Sequence, residues 1–99
     1  MFIITLKFSN NTNNKSQAVQ FMQEHNAWVK NGFDQGVFLF AGTIQPSLGG
    51  VIIAVGITKQ ALDDMINTDP FVREDIVRPE IMEIKPSQMA EELKPFFTK

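Results

Sequence analysis

The sequence predicts an α+β fold in which helices cover one face of a four-stranded antiparallel sheet. Two observations support this prediction. Four short segments have the alternation or the β-branched composition of strands, and two longer segments carry apolar residues at helical spacing. Their order is strand, helix, strand, strand, helix, strand, followed by one more helix. Because 99 residues suffice for one hydrophobic core, we expect a single domain over 1–99, with its core in 1–86 and a C-terminal helix in 87–99.

The first strand is predicted by its period-two alternation. Every even position from Phe2 to Phe8 is apolar, as in a strand with one buried face. The polar segment 9–14 then ends the strand, and Asn14 with Gln17 resembles the capping box of a helix N-terminus.

The first helix is expected to run from Lys15 to about Gln35. Its apolar residues recur at intervals of three and four, which places them on one stripe of an amphipathic helix. The stripe consists of Ala18, Phe21, Met22, His25, Trp28, Val29 and Phe33. Gly36 follows at the position where glycine commonly ends a helix.

Two unbroken apolar runs, Val37–Ala41 and Val51–Val55, predict the second and third strands. The segment 42–50 between them is rich in glycine and contains a proline, so we expect a loop there.

The second helix is expected to begin after Thr58, which suits an N-cap, and to end near Asn67. The tripeptide Asp69-Pro70-Phe71 then predicts a turn.

The fourth strand is predicted over Ile76–Ile84, where Pro79 restricts it to a sheet edge or a bulge. Pro86 and Ser87 are expected to open the last helix. Its apolar stripe would consist of Met89, Leu93, Phe96 and Phe97.

This order of elements is the split βαβ, or ferredoxin-like, arrangement, and it leaves the second face of the sheet open. The apolar residues expected on that face are Ile3, Phe38, Phe40, Ile52 and Ala54. An exposed apolar patch of this kind needs a cover, and a second copy of the chain is the simplest one. We therefore expect a homodimer.

Composition excludes several classes of function. Nine Lys and Arg against eleven Asp and Glu give a net charge of -2 with no basic cluster, which argues against a nucleic-acid partner. The chain has no cysteine and one histidine, so we expect neither a metal nor another cofactor. No apolar run reaches the ~18 residues of a membrane span, and the start does not resemble a signal peptide. We expect no membrane partner and a cytoplasmic location.

His25 is the first candidate for chemistry. It follows Phe21 by four residues, about 40° round the helix, and so lies within the apolar stripe. Imidazole titrates near neutrality and can act as an acid or a base. A core or interface histidine that bonds to the backbone fits the same position, and the pattern alone leaves both interpretations open.

Asp69 is the candidate partner of His25, because the second helix of this fold ends at the sheet edge where the first helix begins. An aspartate before proline is also ordinary turn chemistry, which is the alternative. Asp34 lies nine residues from His25 along one helix, roughly 13 Å away, so the two cannot share a site within one subunit.

Taken together, these residues resemble the YciI-like, or YCII-related, protein family. The resemblance extends from Phe2 to about Pro86 and rests on the order and spacing of its matching elements. They are the strand at the start, His25, Ala41-Gly42, Gly49-Gly50 and Asp69-Pro70-Phe71. One position departs from the pattern, since the family usually has proline after its Ala-Gly pair where this chain has Thr43.

The resemblance implies a dimeric α/β barrel, in which two ferredoxin-like sheets pack face to face as in muconolactone-isomerase-like proteins. It also implies a His–Asp pair, here His25 and Asp69. We expect a small-molecule ligand near this pair, because glycine permits close approach of the backbone to a ligand. The residues expected to bind it are Gly42, Thr43, Gly49, Gly50, Pro70 and Phe71.

Two functions follow as hypotheses. In the first, the chain is an enzyme of isomerase or lyase type in which His25 transfers a proton and Asp69 orients it. In the second, it is a non-catalytic module that binds a small ligand or serves as a structural dimer. Fold analogy does not choose between them, and nothing in the sequence names a substrate.

Overall fold

A four-stranded antiparallel sheet with helices on one face forms the body of the protein. The computed structural model describes residues 1–9 and 14–97, with side chains from residue 16 onward in the first helix. The strands are β1 (Phe2–Phe8), β2 (Phe38–Ile44), β3 (Gly49–Ala54) and β4 (Val77–Glu83), in the order β2-β3-β1-β4. The helices are α1 (Asn14–Asp34), α2 (Lys59–Ile66), α3 (Pro70–Arg73) and α4 (Lys94–Phe97), with a 3-10 turn at Glu91–Leu93. The predicted α+β, ferredoxin-like class is confirmed.

Local signals place several element ends where the sequence predicts them. Gly36 has φ 74° and its N–H donates to the Phe33 carbonyl at 3.0 Å, which closes the end of α1. The Thr58 hydroxyl accepts the Ala61 N–H at 3.2 Å and caps α2. β4 is an edge strand, which accommodates Pro79. The predicted cap before α1 stays a prediction, because residues 10–13 and the side chain of Asn14 lie outside the described part of the chain.

The predicted loop over 42–50 is wrong. β2 continues through Ile44 and β3 begins at Gly49, so only 45–48 connect them. Gly42 and Thr43 pair with Val51 and Gly50 across the two strands. Glycine weakens a strand without preventing its backbone from completing a ladder, so composition alone misplaces this boundary.

The predicted start of the last helix at Pro86 is also wrong. Residues 86–90 are not helical, and the 3-10 turn begins at Glu91. Leu93 and Phe96 are 46% and 43% exposed, so these two residues of the predicted stripe are not buried against the body. Because short helices owe most of their stability to packing, a segment without a partner forms only its last turns.

The core lies between the sheet and the helices, around the fully buried Ile4, Leu62 and Ile66. Three residues predicted for the open face belong to this core: Phe38 is 2% exposed, Ile52 2% and Ala54 0%. Their prediction is wrong because Ala54 pairs with Phe2 and Ile52 with Ile4, on the side of β1 that faces the helices. A one-residue change of register moves every side chain of a strand to the other face.

The open face of the sheet is apolar at its centre. Ile3 lies there as predicted, paired with Ile53 on β3 and with Met82 on β4. A register shift between Phe38 and Phe40 pairs Phe40 with Ile53, and Phe40 is 52% exposed.

Among the helices of the described residues, none is long and apolar enough to cross a bilayer.

Candidate functional site

His25 and Asp69 meet at the junction of α1 and α3. The Nδ1 atom of His25 lies 2.8 Å from Oδ1 of Asp69. The His25 side chain keeps 16% of its surface exposed and the Asp69 side chain none. The predicted proximity of the two residues is confirmed, and their chemical role stays a prediction.

The local sequence explains why Asp69 lies there. Asp69 is the N-cap of α3, and its Oδ1 accepts the Phe71 N–H at 3.1 Å. Pro70 occupies the first position of the helix, where a missing N–H costs nothing and the fixed φ favours the turn. The capping role and the contact with His25 therefore belong to the same carboxylate oxygen.

Hydrogen-bond chemistry sets the direction of the His25 contact. An ionised carboxylate only accepts hydrogen bonds, so with Asp69 ionised the proton of this contact is on Nδ1 of His25. In the neutral imidazole, Nε2 then carries the lone pair, and it has no hydrogen-bond partner among the described residues. Oδ2 of Asp69 is buried and likewise has no partner in the described part of the chain. Nε2 is therefore the ring nitrogen that can still accept a hydrogen bond or a proton.

Two aromatic rings flank the imidazole. The Phe71 ring stacks on His25 with centroids 4.0 Å apart, and the Trp28 ring lies at 6.1 Å. Both contacts restrict rotation of the imidazole, so its ring plane is fixed by packing as well as by Asp69.

Trp28 also ties α1 to the end of α2. Its indole N–H donates to the Thr68 hydroxyl at 3.0 Å and to the Met65 carbonyl at 3.2 Å. The Thr68 hydroxyl in turn donates to the same carbonyl at 2.6 Å. Because Thr68 immediately precedes Asp69, this network holds the backbone that carries the carboxylate. Trp28 packs against the core as well, as the apolar stripe predicts.

An ion pair closes the outer side of the same junction. The Arg73 guanidinium of α3 lies 3.3 Å from the Glu24 carboxylate of α1. The hydrogen bond to Glu74 is the largest cause that raises the pKa of Arg73 above its ordinary value, and the hydrogen bond to Glu24 is the second. Arg73 therefore stays charged throughout the physiological range, although an exposed pair of this kind contributes little stability.

A cavity of about 360 Å³ opens beside His25, between the sheet and α1. Its walls come from all four strands, α1, α3 and the 45–48 turn. They are formed by Leu6, Phe8, Met22, His25, Asn26, Gly42, Thr43, Ser47, Gly49, Gly50, Phe71 and Val77.

Five of the six predicted ligand-binding residues line this cavity: Gly42, Thr43, Gly49, Gly50 and Phe71. Pro70 does not line it and is buried at the start of α3. Asp69 does not line the cavity itself, but it contacts two residues that do, His25 and Phe71.

Sequence analysis missed several cavity residues. Met22 lies three residues before His25 on the same helix face, so helical spacing could have indicated it. Leu6 follows from the alternation of β1 once its inner face is known. Asn26 and Ser47 carry no such signal, because their places depend on the rotation of α1 and on the turn at 45–48.

A second hollow, of about 730 Å³, lies between Met1 and the C-terminal segment. Neither histidine nor a carboxylate is among the residues that line it, so it lacks the His–Asp arrangement of the first cavity. Within the described part of the chain, no group of three or more His, Asp or Glu could hold a metal ion.

Comparison with known proteins shows the fold. No protein-family model matches this chain, and no curated protein sequence does. Among solved structures it is similar to 5-chloro-2-hydroxyhydroquinone dehydrochlorinase from Burkholderia phenoliruptrix, determined in complex with 2,5-dihydroxybenzoquinone. The TM-score is 0.68 at 10% identity, over 86% of this chain and 94% of that chain. The similarity supports the ferredoxin-like fold of the chain.

Proposed function

We propose that this chain is a YciI-like protein that acts as an enzyme on a small organic molecule, with His25 as its proton-transfer residue. One observation carries the proposal: the His25 imidazole borders a cavity and contacts, through Nδ1, the fully buried carboxylate of Asp69. A buried carboxylate that fixes the tautomer of an imidazole is an arrangement that serves general acid–base catalysis.

The proposed proton transfer uses the two ring nitrogens differently. Nδ1 keeps its proton and donates a hydrogen bond to Asp69, while Nε2 removes a proton from a C–H or O–H group of the ligand. The imidazolium that forms is stabilised by the adjacent carboxylate.

Two reaction types can complete this cycle. In an isomerisation, Nε2 returns the same proton to another atom of the ligand. In an elimination, the electron pair of the broken C–H or O–H bond forms a double bond, the leaving group departs with the electron pair of the bond that held it, and Nε2 passes its proton to the leaving group or to water. Asp69 stays ionised in both cases, so it is a positioning residue rather than a proton carrier.

The similar dehydrochlorinase supports an elimination on a ring compound. The cavity beside His25 has apolar walls and a few polar side chains, as small-molecule sites commonly do. We therefore favour a lyase-type reaction, with isomerisation as the second possibility.

We also propose that the chain forms a homodimer through the open face of its sheet. Ile3, Phe40, Ile53 and Met82 share that face, and Phe40 and Met82 are each more than half exposed. A continuous apolar surface of this kind is typical of an interface, and a two-fold axis would let it cover itself.

A ligand screen followed by kinetics tests the enzymatic proposal. Lactones, muconate-like acids and hydroxylated aromatic compounds would be screened by thermal shift, and the hits assayed for turnover. His25→Asn keeps the approximate side-chain volume and removes proton transfer, so we expect it to fold and to lose about 100-fold or more in turnover.

Asn31→Ala, at an exposed position of α1 outside the cavity, is the matched control and should keep wild-type turnover. If wild type and His25→Asn bind a ligand equally and both release it unchanged, the enzymatic proposal is wrong. The protein would then be the non-catalytic binding module.

A further inference from the structure

The cavity beside His25 owes part of its space to one missing side chain, that of Gly50. In the sheet, Gly50 pairs with Thr43 on β2 and with Leu6 on β1. Paired residues of neighbouring strands point to the same face, and Leu6 is buried on the side of the helices. A side chain at position 50 would therefore project into the cavity between Thr43 and Leu6.

The fold itself does not require glycine at this position. A Cβ atom on Gly50 would have only the Gly42 carbonyl oxygen nearby, at 3.5 Å, which is ordinary van der Waals contact. Its φ is not among the positive values found at Gly36, Gly49 and Gly56. Alanine would therefore be accommodated without strain.

The neighbouring Gly49 shows the contrast. Its φ is 141°, and a Cβ atom there would overlap the Leu6 carbonyl oxygen, so the backbone demands glycine. Glycine inside a strand weakens it, because it packs no side chain and loses more entropy on folding. At Gly50 the backbone conformation does not require glycine, so the loss of strand stability is not explained by the fold. The missing side chain does leave the backbone of β3 uncovered on the cavity side.

We infer that Gly50 determines the ligand specificity of this site, and that the ligand is a flat, one-ring molecule with hydroxyl or carbonyl groups. The inference rests on the proposed function, since it assigns the ligand of the same cavity. The bare backbone at Gly50 offers a flat floor, and the strands on either side are about 10 Å apart, two interstrand spacings.

The walls around this floor fit such a ring. Leu6 and Phe71 supply apolar contact, while the Thr43 hydroxyl and the Asn26 amide can both donate and accept hydrogen bonds. The cavity volume of about 360 Å³ is at the small end of ligand sites, which suits a single ring better than a nucleotide-sized cofactor. His25 lines the same cavity and would contact the ring from the helix side.

Binding of two matched probes tests the inference. Hydroquinone is flat, and 1,4-cyclohexanediol carries the same two hydroxyl groups on a puckered ring. His25 is the single histidine of the chain, so the NMR signal of its Cε1–H group reports binding without ambiguity. Dissociation constants would be measured for wild type, Gly50→Ala and the control Ala41→Val, an exposed position of β2 that does not line the cavity.

We expect wild type to bind hydroquinone about tenfold more tightly than 1,4-cyclohexanediol. In Gly50→Ala the affinity for hydroquinone should fall about tenfold or more, because the added methyl group occupies the floor. Ala41→Val should stay within about twofold of wild type.

The inference is overturned if wild type does not prefer hydroquinone, or if Gly50→Ala binds it within about twofold of wild type. The comparison of hydroquinone with 1,4-cyclohexanediol uses wild type alone, so it tests the inference even if a variant does not fold. Turnover is read separately: Gly50-dependent binding without His25-dependent turnover would uphold the inference and contradict the proposed function. His25-dependent turnover of another class of compound, without hydroquinone binding, would do the reverse.

Discussion

The imidazole ring of His25 lies parallel to the phenyl ring of Phe71, with centroids 4.0 Å apart and planes 2° apart. The backbone N–H of Phe71 also donates to Oδ1 of Asp69, the oxygen that contacts His25. Phe71 therefore positions both partners, the imidazole through its side chain and the carboxylate through its backbone.

Replacing Phe71 with Leu separates these two contributions. The backbone N–H remains, while the stacked ring is lost, so the imidazole gains freedom to rotate. We expect the free energy of unfolding to fall by about 1–2 kcal/mol in denaturant titrations. With a substrate from the ligand screen, kcat should fall more than KM rises, because the orientation of Nε2 matters most in the transition state.

Val72→Ala is the control for this prediction. Val72 packs against the same core from the next position of α3 and is not among the residues lining the cavity. It should lower stability by a similar amount and leave kcat unchanged. Equal losses of kcat in the two variants would show that Phe71 acts only through stability.

Trp28→Phe should loosen the His–Asp contact from a distance. The variant keeps an aromatic ring and loses the N–H that bonds to Thr68 and to the Met65 carbonyl. We expect a loss of about 1 kcal/mol in unfolding free energy. The Nδ1 proton of His25 should also exchange faster with solvent, as measured by NMR. If the Nδ1 proton of His25 exchanges at the same rate in the folded variant, Trp28 contributes to packing and does not hold the His–Asp contact.

Gly32→Ala should destabilise the protein although it raises helix propensity. Alanine gains up to about 1 kcal/mol over glycine in a helix interior. The new Cβ atom would overlap the ring of the buried Phe38, and overpacking of this kind costs about 1–3 kcal/mol. The cost of overpacking therefore exceeds the gain in helix propensity, and the melting temperature should fall. Asn31→Ala, its exposed neighbour, should leave that temperature unchanged or raise it; a rise for Gly32→Ala would contradict the packing at Phe38.

Sedimentation at micromolar protein concentration tests the proposed homodimer. Wild type should sediment as a dimer that buries more than about 1,000 Å² in its interface. Ile53→Glu places a charge at the centre of the open face and should give a folded monomer. Ala61→Glu, at an exposed position on the helix side, should remain dimeric. A monomeric wild type would refute the proposal.

The sequence predicted those elements that local chemistry specifies. The alternation from Phe2 to Phe8, the cap at Thr58 and the glycine at 36 are each read within a few residues, and all three agree with the structure. The element order allowed His25 and Asp69 to meet but did not require it.

The rest depended on long-range geometry. The strands containing Phe38 and Ile52 are unbroken apolar runs, so they give no alternation from which to choose a face. The pairing of β3 with β1 decides the face of Ile52, and the register shift between Phe38 and Phe40 puts these two residues on opposite faces; no local signal marks either. The position of Asn26 at the cavity likewise depends on how far α1 is rotated against the sheet.

The protonation of the His25 ring in the free protein tests the central claim most directly. Long-range ¹⁵N–¹H NMR correlation, at a pH where the imidazole is neutral, distinguishes the two tautomers of this single histidine. We predict a proton on Nδ1 and a free lone pair on Nε2, because Asp69 accepts from Nδ1. In Asp69→Ser, which keeps an N-cap for α3 and removes the carboxylate, this preference should be lost. A proton on Nε2 in wild type, or an unchanged preference for Nδ1 in Asp69→Ser, would contradict the claim that Asp69 presents Nε2 of His25 to the cavity.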